Sequence, residues 1–416
     1  WLPTWNVSGA WNAHEEKFFS NLTSVLSHFT LKASYSLTAD RGPADVTNSQ
    51  AIITSYSPYR PFTSIQESGL YIKELENSEL TYEKKHELNI GADMGFLNNR
   101  INLAVDWYKR NNYDLIGIVN TQGAGGQILK YANIASMKSH GIEFTLSTKN
   151  IKTKDFNWNT DFIFSNAKNE VTDLKQNANV MELISGNGFA KQGYPVRGLF
   201  SIPFVGLDKD GIPVIINEKG EATSTDINFQ ERQNTGFLKY EGPTDPTITG
   251  SLGNMFSYKG FRLNLFITYS FGNVIRLNPV FKAYYSDLTA MTREFKNRWT
   301  LPGDEAKTNV PAILSKRMYD SNEDLKYAYN AYNYSTERIA KGDFIRLKEI
   351  SLAYDFPKAW INPLKLTDLS LKVQATNLFL IYADDKLNGQ DPEFFNAGGV
   401  ASPVPRQFTI TLRLGL

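Results

Sequence analysis

The sequence predicts an all-β chain that forms an antiparallel transmembrane β-barrel with long extracellular loops. Three observations predict it: runs of about ten residues alternate apolar and polar, the connections between them alternate short and long, and 13% of residues are aromatic. Alternation with period two gives each strand one apolar and one polar face. Globular strands have about five or six residues and membrane-spanning strands about 9–11, so the run length favours a barrel over a sandwich.

About eleven strands are predicted. They lie, in chain order, at 4–13, 28–38, 86–97, 100–111, 140–150, 156–166, 246–258, 261–271, 343–356, 368–380 and 406–416. The last run shows the pattern most plainly, because Phe408, Ile410 and Leu412 alternate with Thr409 and Thr411.

The predicted connections alternate in length. Short ones fall at 98–99, 151–155, 259–260 and 357–367, with one of middling length at 14–27. Long ones fall at 39–83, 112–139, 167–245, 273–342 and 381–405. Outer-membrane barrels have this pattern, with tight periplasmic turns and large outside loops. Loops 167–245 and 273–342 are expected to carry most ligand and partner contacts, with short strands around an Asp208–Gly211 turn and helical spacing over 287–299.

Side-chain positions along the strands predict two surfaces. Polar positions are expected to line the lumen, as at Arg262, Asn264, Thr268, Lys372 and Gln374. Aromatic residues near strand ends are expected to form interfacial girdles, at Trp5, Trp11, Trp107, Tyr108, Trp158, Tyr354, Trp360 and Tyr382.

Several function classes are disfavoured. With 44 Lys+Arg against 43 Asp+Glu, nothing indicates nucleic-acid binding, and 0 Cys excludes disulfides and thiolate chemistry. The four histidines show no metal-ligand spacing, and are interpreted as structural: His14, His28, His86 and His140. Asp208–Gly211 fits a turn better than a calcium loop. No catalytic residues, metal site or cofactor are therefore predicted.

A tyrosine- and asparagine-rich stretch is the candidate ligand site. Aromatic faces beside amide groups suit sugar rings or peptide groups, although tyrosines can equally pack the loop itself or a partner protein. The candidates are Tyr284, Tyr285, Tyr319, Tyr327, Tyr329, Asn330, Tyr332, Asn333 and Tyr334.

The predicted strand count indicates part of a longer barrel. An odd number of strands places the two ends on opposite sides of the membrane, and an incomplete barrel would leave open edges in lipid. The first residues, Trp1 to Pro3, have no export-signal character, so the protein is expected either to be cytoplasmic or to be the interior of a longer chain.

Seven blocks in order resemble the SusC/RagA family of TonB-dependent outer-membrane transporters of Bacteroidetes. Near the C-terminus they read GDFIRLKEISLAYDFP (342–357), QATNLF (374–379), GQDPE (389–393) and PVPRQF (403–408). Upstream they read LTYEKKHELNIGADMGFLNNRINLAVDWYKRNNYDLI (80–116), NIASMKSHGIEFTL (133–146) and RWTLPGDEAKTNVP (298–311).

The resemblance implies that residues 1–416 are the C-terminal half of a 22-stranded barrel, with the plug and first barrel half elsewhere. It implies active import of glycan oligosaccharides, or alternatively oligopeptides, in the bacterial outer membrane. The implied partners are a SusD-like lipoprotein lid, TonB acting through the missing N-terminal region, and the lipid bilayer with its lipopolysaccharide. A reading of another class remains open: a secreted, soluble β-rich glycan-binding or adhesion protein.

Overall fold

Strands dominate the backbone of this chain. The computed structural model describes residues 2–42, 50–58, 67–123, 128–279, 293–395 and 404–416. The strands among these residues are β1 (Trp5–Asn12), β2 (Leu26–Asp40), β3 (Ile52–Tyr56), β4 (Gly69–Glu74), β5 (Glu83–Phe96), β6 (Ile101–Asn120), β7 (Leu129–Lys152), β8 (Phe156–Leu174), β9 (Gly198–Ser201), β10 (Phe204–Leu207), β11 (Pro213–Ile216), β12 (Ala222–Thr223), β13 (Lys239–Pro243), β14 (Ile248–Tyr258), β15 (Phe261–Phe271), β16 (Val274–Arg276), β17 (Ile339–Lys341), β18 (Phe344–Asp355), β19 (Asp368–Ala383) and β20 (Gln407–Gly415).

Helices are short and belong to the connections. The α-helices of the described residues are α1 (Val180–Ile184), α2 (Lys316–Ser321), α3 (Leu325–Asn333) and α4 (Lys358–Ile361). No helix in the part of the chain that the structure describes has the length and apolar character needed to cross a membrane.

One sheet of eleven strands organises the molecule. Its order is β1-β2-β5-β6-β7-β8-β14-β15-β18-β19-β20, and every neighbouring pair is antiparallel. These are the eleven predicted strands, and the predicted antiparallel all-β fold is confirmed. Each strand of this sheet pairs with the sheet strands that come before and after it in the chain. The connections therefore alternate between the two ends of the strands, and the long ones share one end. β1 and β20 are the outermost strands.

Several strands are longer than predicted. β6 has 20 residues, β7 has 24 and β8 has 19. The long loop predicted at 112–139 is therefore wrong, because β6 and β7 continue as a paired hairpin up to Asn120 and from Leu129. Where both faces of a hairpin meet water, apolar alternation is no longer required. The sequence pattern then stops although the backbone hydrogen bonds continue.

The sheet has one apolar face and one polar face, as the alternation predicted. Directly opposed residues share a face, so one row can be followed across ten strands. That row is Trp11, Leu31, Ala92, Val105, Phe144, Phe164, Gly250, Tyr269, Ile345 and Tyr382. A row on the opposite face is Asn159, Met255, Asn264, Ser351, Gln374 and Thr409. The second face also carries ion pairs, such as Lys32 with Asp93 at 2.8 Å.

Tyr108 departs from the predicted aromatic girdle. It pairs with Gly141 and with Asn89 on the polar face, and only 7% of its surface is exposed. A Cβ atom at residue 141 would lie 2.5 Å from the Tyr108 hydroxyl oxygen, so glycine is what allows the ring to lie over the neighbouring strand. The Arg110 guanidinium covers the same ring at 4.1 Å from its centroid.

Cysteine labelling at two adjacent positions of β15 would test the assignment of the faces. Leu263 lies in register with Phe256 and Leu352 on the apolar face, whereas Asn264 pairs with Ser351 on the polar face. In membranes we expect a lipid-soluble maleimide to label Leu263→Cys and a water-soluble one to label Asn264→Cys, by at least about fivefold in each case, because successive side chains point to opposite faces. Lipid-soluble labelling confined to position 264 would contradict this assignment.

Candidate functional site

The long connections after β8 and β15 fold into a cap at one end of the sheet's strands. Its main core is formed by α1, β9 and β11 together with Ala331 of α3. A second core joins Ile212 to Leu325 and Tyr329. Residues 175–247 therefore pack on the described residues of the second loop, 272–279 and 293–343, in agreement with the prediction that these loops have internal order. The predicted short strands around Asp208–Gly211 are confirmed as β9, β10 and β11.

A buried arginine holds the cap together. Arg276 is 7% exposed and donates hydrogen bonds to the carbonyl oxygens of Ser335 at 2.8 Å, Phe200 at 2.6 Å and Ile184 at 3.3 Å. Burial lowers the pKa of Arg276 to about 9, since desolvation disfavours the charged form. One guanidinium thus satisfies carbonyl groups from three separate segments of the two loops.

A second buried arginine forms the floor of a cleft. Arg338 is 2% exposed, forms an ion pair with Glu294 and donates to the Asn278 carbonyl oxygen at 2.7 Å. The other carboxylate oxygen of Glu294 accepts a hydrogen bond from the Asn388 amide at 2.9 Å. Glu294 therefore joins the 272–343 connection to the one that follows β19.

The cleft has a volume of about 680 Å³ and carries charges of both signs. Besides the Glu294–Arg338 pair, its charged side chains are Arg298, Asp304, Lys307, Glu337, Asp385 and Lys386. Amide and hydroxyl groups of Asn297, Thr308 and Asn309 lie between them. Such a surface can hold a polar ligand through hydrogen bonds and charge contacts, without covalent chemistry.

Local turns position Asp304 of the cleft wall and the neighbouring Glu305. Asp304 accepts hydrogen bonds from the Leu301 amide at 3.0 Å and from the Thr300 hydroxyl at 2.9 Å, and these bonds lower the pKa of Asp304. Glu305 accepts from the Trp299 indole at 2.9 Å, which lowers the Glu305 pKa. The Trp299 ring lies against Gly211, where a Cβ atom would come within 2.6 Å of it.

The connection after β19 is fastened to the polar face of the sheet. Arg346 of β18 is 4% exposed and forms ion pairs with Asp391 and, at 3.1 Å, with Glu393. Asp391 also caps the following turn, since its carboxylate accepts from the Glu393 amide at 3.1 Å. We call residues 384–395 the strap, because they run from the cleft wall at Asp385 back to this ion pair.

The structure separates the predicted ligand residues into two groups. Tyr329 and Tyr332 are fully buried in the cap, and Asn333 is 7% exposed, so these three side chains pack the loop itself. Tyr327 is 37% exposed, while Tyr319, Asn330 and Tyr334 are half-buried. Tyr284 and Tyr285 lie outside the described residues. Tyr332 is also one of the residues that line the cleft, and ligand contact by the set stays a prediction.

Sequence reasoning missed Arg276, Arg338 and Arg346. Each stands in or beside a short apolar run, as in the sequence VIRL around Arg276. A lone charge in such a run is a signal for a buried, paired arginine, but the partner carbonyls and carboxylates lie about 45 to 90 residues away, so sequence spacing could not identify them.

The remaining candidate sites of the sequence have simple structural roles. Asp208 accepts hydrogen bonds from the Asp210 and Ile212 amides at 2.9 and 2.8 Å, as expected for a turn. The rings of His14 and His28 lie 4.3 Å apart, a contact that their spacing did not reveal. Within the described ranges, no three His, Cys, Asp or Glu side chains converge as metal ligands would.

Known proteins similar to this chain are TonB-dependent receptors. No family model matches it. It is 25% identical over 404 residues to TonB-dependent receptor P3 of Formosa agariphila, covering 92% of this chain and 37% of that protein. It is 26% identical to the TonB-dependent receptor SusC of Bacteroides thetaiotaomicron, covering 98% and 39%. The chain thus spans about two fifths of the length of the curated relatives that it matches.

The fold has a close counterpart among solved structures. The structure of the RagAB peptide transporter superposes with a TM-score of 0.76 at 24% identity, covering 99% of this chain and 43% of that one. At this identity the likeness concerns the fold.

Proposed function

We infer that this chain, which is a SusC/RagA-like part of a TonB-dependent outer-membrane transporter, forms one wall and part of the extracellular mouth of a nutrient-import barrel. The observation that carries the inference is the eleven-stranded sheet, with an apolar face for lipid, a polar face for the lumen and a folded, charged cap at one end of its strands. The apolar face disfavours the soluble adhesion protein. The named relatives are receptors and transporters, which supports a role without catalysis.

We further propose that residues 1–416 are the C-terminal part of a larger barrel. Among the described residues, β1 and β20 are each paired on one side only, and an unpaired strand edge in lipid leaves backbone groups without hydrogen-bond partners. Further strands of the full-length protein would pair with these edges. The plug and the segment that engages TonB would lie in the same upstream part, in line with the length of the relatives.

The proposed cargo is a glycan oligosaccharide, delivered with a SusD-like surface lipoprotein that covers the cap. The amide and hydroxyl groups of Asn297, Thr308 and Asn309 in the cleft are suited to the hydroxyl groups of sugars. The alternative cargo is an oligopeptide. The charges of both signs in the same cleft favour it, because a peptide has a cationic and an anionic end.

Growth on defined nutrients would test import and distinguish these cargoes. In a strain lacking the full-length receptor, we expect growth on one class of oligosaccharide to fail and growth on its monosaccharide to continue. The same defect should follow deletion of TonB, because the proposed uptake is energised. Loss of growth on oligopeptides, with free amino acids still used, would establish the alternative. Unimpaired growth on both nutrient classes would contradict import.

A further inference from the structure

The apolar face of the sheet ends in basic residues at the extracellular ends of β6, β7 and β8. Trp107, Ile142 and Asn166 form one cross-strand row there. Two residues further toward the cap, the next row on the same face is Lys109, His140 and Lys168. Three basic side chains thus lie side by side on adjacent strands, directly above an aromatic and an aliphatic residue.

These three side chains are exposed, and the carboxylates of adjoining residues form ion pairs with other cations. Glu170 pairs with Lys138 at 2.9 Å, and Asp245, which lines a pocket together with Lys168, pairs with Arg197 at 2.6 Å. Among the described residues, no carboxylate forms an ion pair with Lys109, His140 or Lys168. We call Lys109, His140 and Lys168 the cationic row, because its two lysines carry positive charge on either side of the His140 ring.

The height of the row matches the outer boundary of the membrane. At about 3.4 Å per residue and a tilt of about 40°, Lys109 stands about 21 Å above Ile101 at the start of β6. Lys168 stands about 31 Å above Phe156 at the start of β8 by the same arithmetic. The apolar band of such barrels is about 25 Å tall, and long lysine side chains can extend from its edge toward the head groups.

The cationic row is confined to one sector of the sheet. The row of Trp107 and Ile142 continues into Ile248 of β14 and Phe271 of β15, which are the last residues of this face before the cap. On β5, the neighbour of β6 on its other side, the residue opposite Lys109 is Leu88. Basic residues at this level are thus a local feature of β6 to β8 and not a general property of the rim.

We propose that Lys109, His140 and Lys168 bind a phosphate group of the phosphorylated glycolipid in the outer leaflet. The inference rests on the outer-membrane placement given above. Neighbouring strands are about 5 Å apart, so the three groups span about 10 Å, the width of one phosphorylated sugar. Cationic donors form strong hydrogen bonds with phosphate oxygens, and the acyl chains would lie on the apolar residues below, such as Trp107 and Ile142.

Lipid binding to the full-length receptor would test this site. The probe is bis-phosphorylated lipid A, titrated into the detergent-solubilised receptor and measured by native mass spectrometry, with chemically dephosphorylated lipid A alongside. We expect the double variant Lys109→Gln, Lys168→Gln to weaken binding of the phosphorylated form about tenfold, because charge-assisted hydrogen bonds are lost. Dephosphorylated lipid should bind the wild-type protein and this variant equally weakly.

A matched control separates this site from general charge effects. Lys149→Gln removes an exposed lysine from the polar face of β7 at the other end of the strand, and should leave lipid A binding unchanged. Equal binding of phosphorylated and dephosphorylated lipid, an equal loss in the control, or capture of an acidic protein in place of lipid would each overturn the proposal.

Membrane fractionation of the same variants distinguishes the two inferences. If the receptor reaches the outer membrane but binds lipid A without regard to phosphate, the glycolipid site is wrong and the transporter proposal stands. If the wild-type receptor is absent from the outer-membrane fraction, the transporter proposal itself fails.

Discussion

Replacing Arg276 by methionine should open the cap while leaving the eleven-stranded sheet intact. The substitution removes the Arg276 donor from the carbonyl groups of Ile184 and Phe200, whereas the Ser335 carbonyl keeps a hydrogen bond from the Arg338 amide at 3.1 Å. An unsatisfied buried polar group costs about 1–3 kcal/mol, so with two such carbonyls we expect the free energy of cap opening to fall by about 2–6 kcal/mol. Hydrogen exchange of the amides of β9 and β17 in the full-length receptor would measure the change.

The matched control is Arg317→Met. Arg317 is an exposed arginine in α2 of the same loop, and its replacement should change the free energy of cap opening by less than about 0.5 kcal/mol. Unaltered exchange of the β9 and β17 amides in Arg276→Met would show that apolar packing alone holds the cap. Accelerated exchange in β14 and β15 as well would show that the cap and the sheet open together.

Replacing Arg346 by methionine should release the strap and weaken ligand binding. Asp391 would keep its charge in a site where its side chain is 10% exposed, and breaking a buried ion pair costs about 3–5 kcal/mol. Glu393 is more exposed, so we expect a cost of about 3 kcal/mol. Because Asp385, Lys386 and Asn388 of the strap line the cleft, its release should also lower ligand affinity.

Hydrogen exchange of the Leu387 amide would measure the release of the strap, both in Arg346→Met and in a double variant. Asp391→Asn removes the charge but keeps a side chain that can cap the following turn, so Arg346→Met with Asp391→Asn should lose less stability than Arg346→Met alone. Lys348→Met is the control, since Lys348 reaches Glu393 only at 3.8 Å and is 35% exposed. Equal effects of Arg346→Met and Lys348→Met on this exchange would show that the Arg346–Asp391 ion pair does not hold the strap in place.

The sequence by itself determined the eleven strands, their order and their two faces. Period-two alternation is a direct consequence of having lipid on one side and water on the other, so residues such as Leu263 and Asn264 report their faces without any tertiary information. The same reasoning failed at 112–139, because a hairpin in water needs no alternation although its backbone groups still pair.

Only the tertiary structure decided the cap, the cleft and the cationic row. Arg276, Arg338 and Arg346 find their partners across loops, and tyrosines that suit ligand contact, such as Tyr329 and Tyr332, are instead buried in the cap. Lys109, His140 and Lys168 become neighbours only through the register of β6, β7 and β8. Alternation depends on each residue's own environment, whereas a site depends on contacts between distant residues, and a single sequence records only the first.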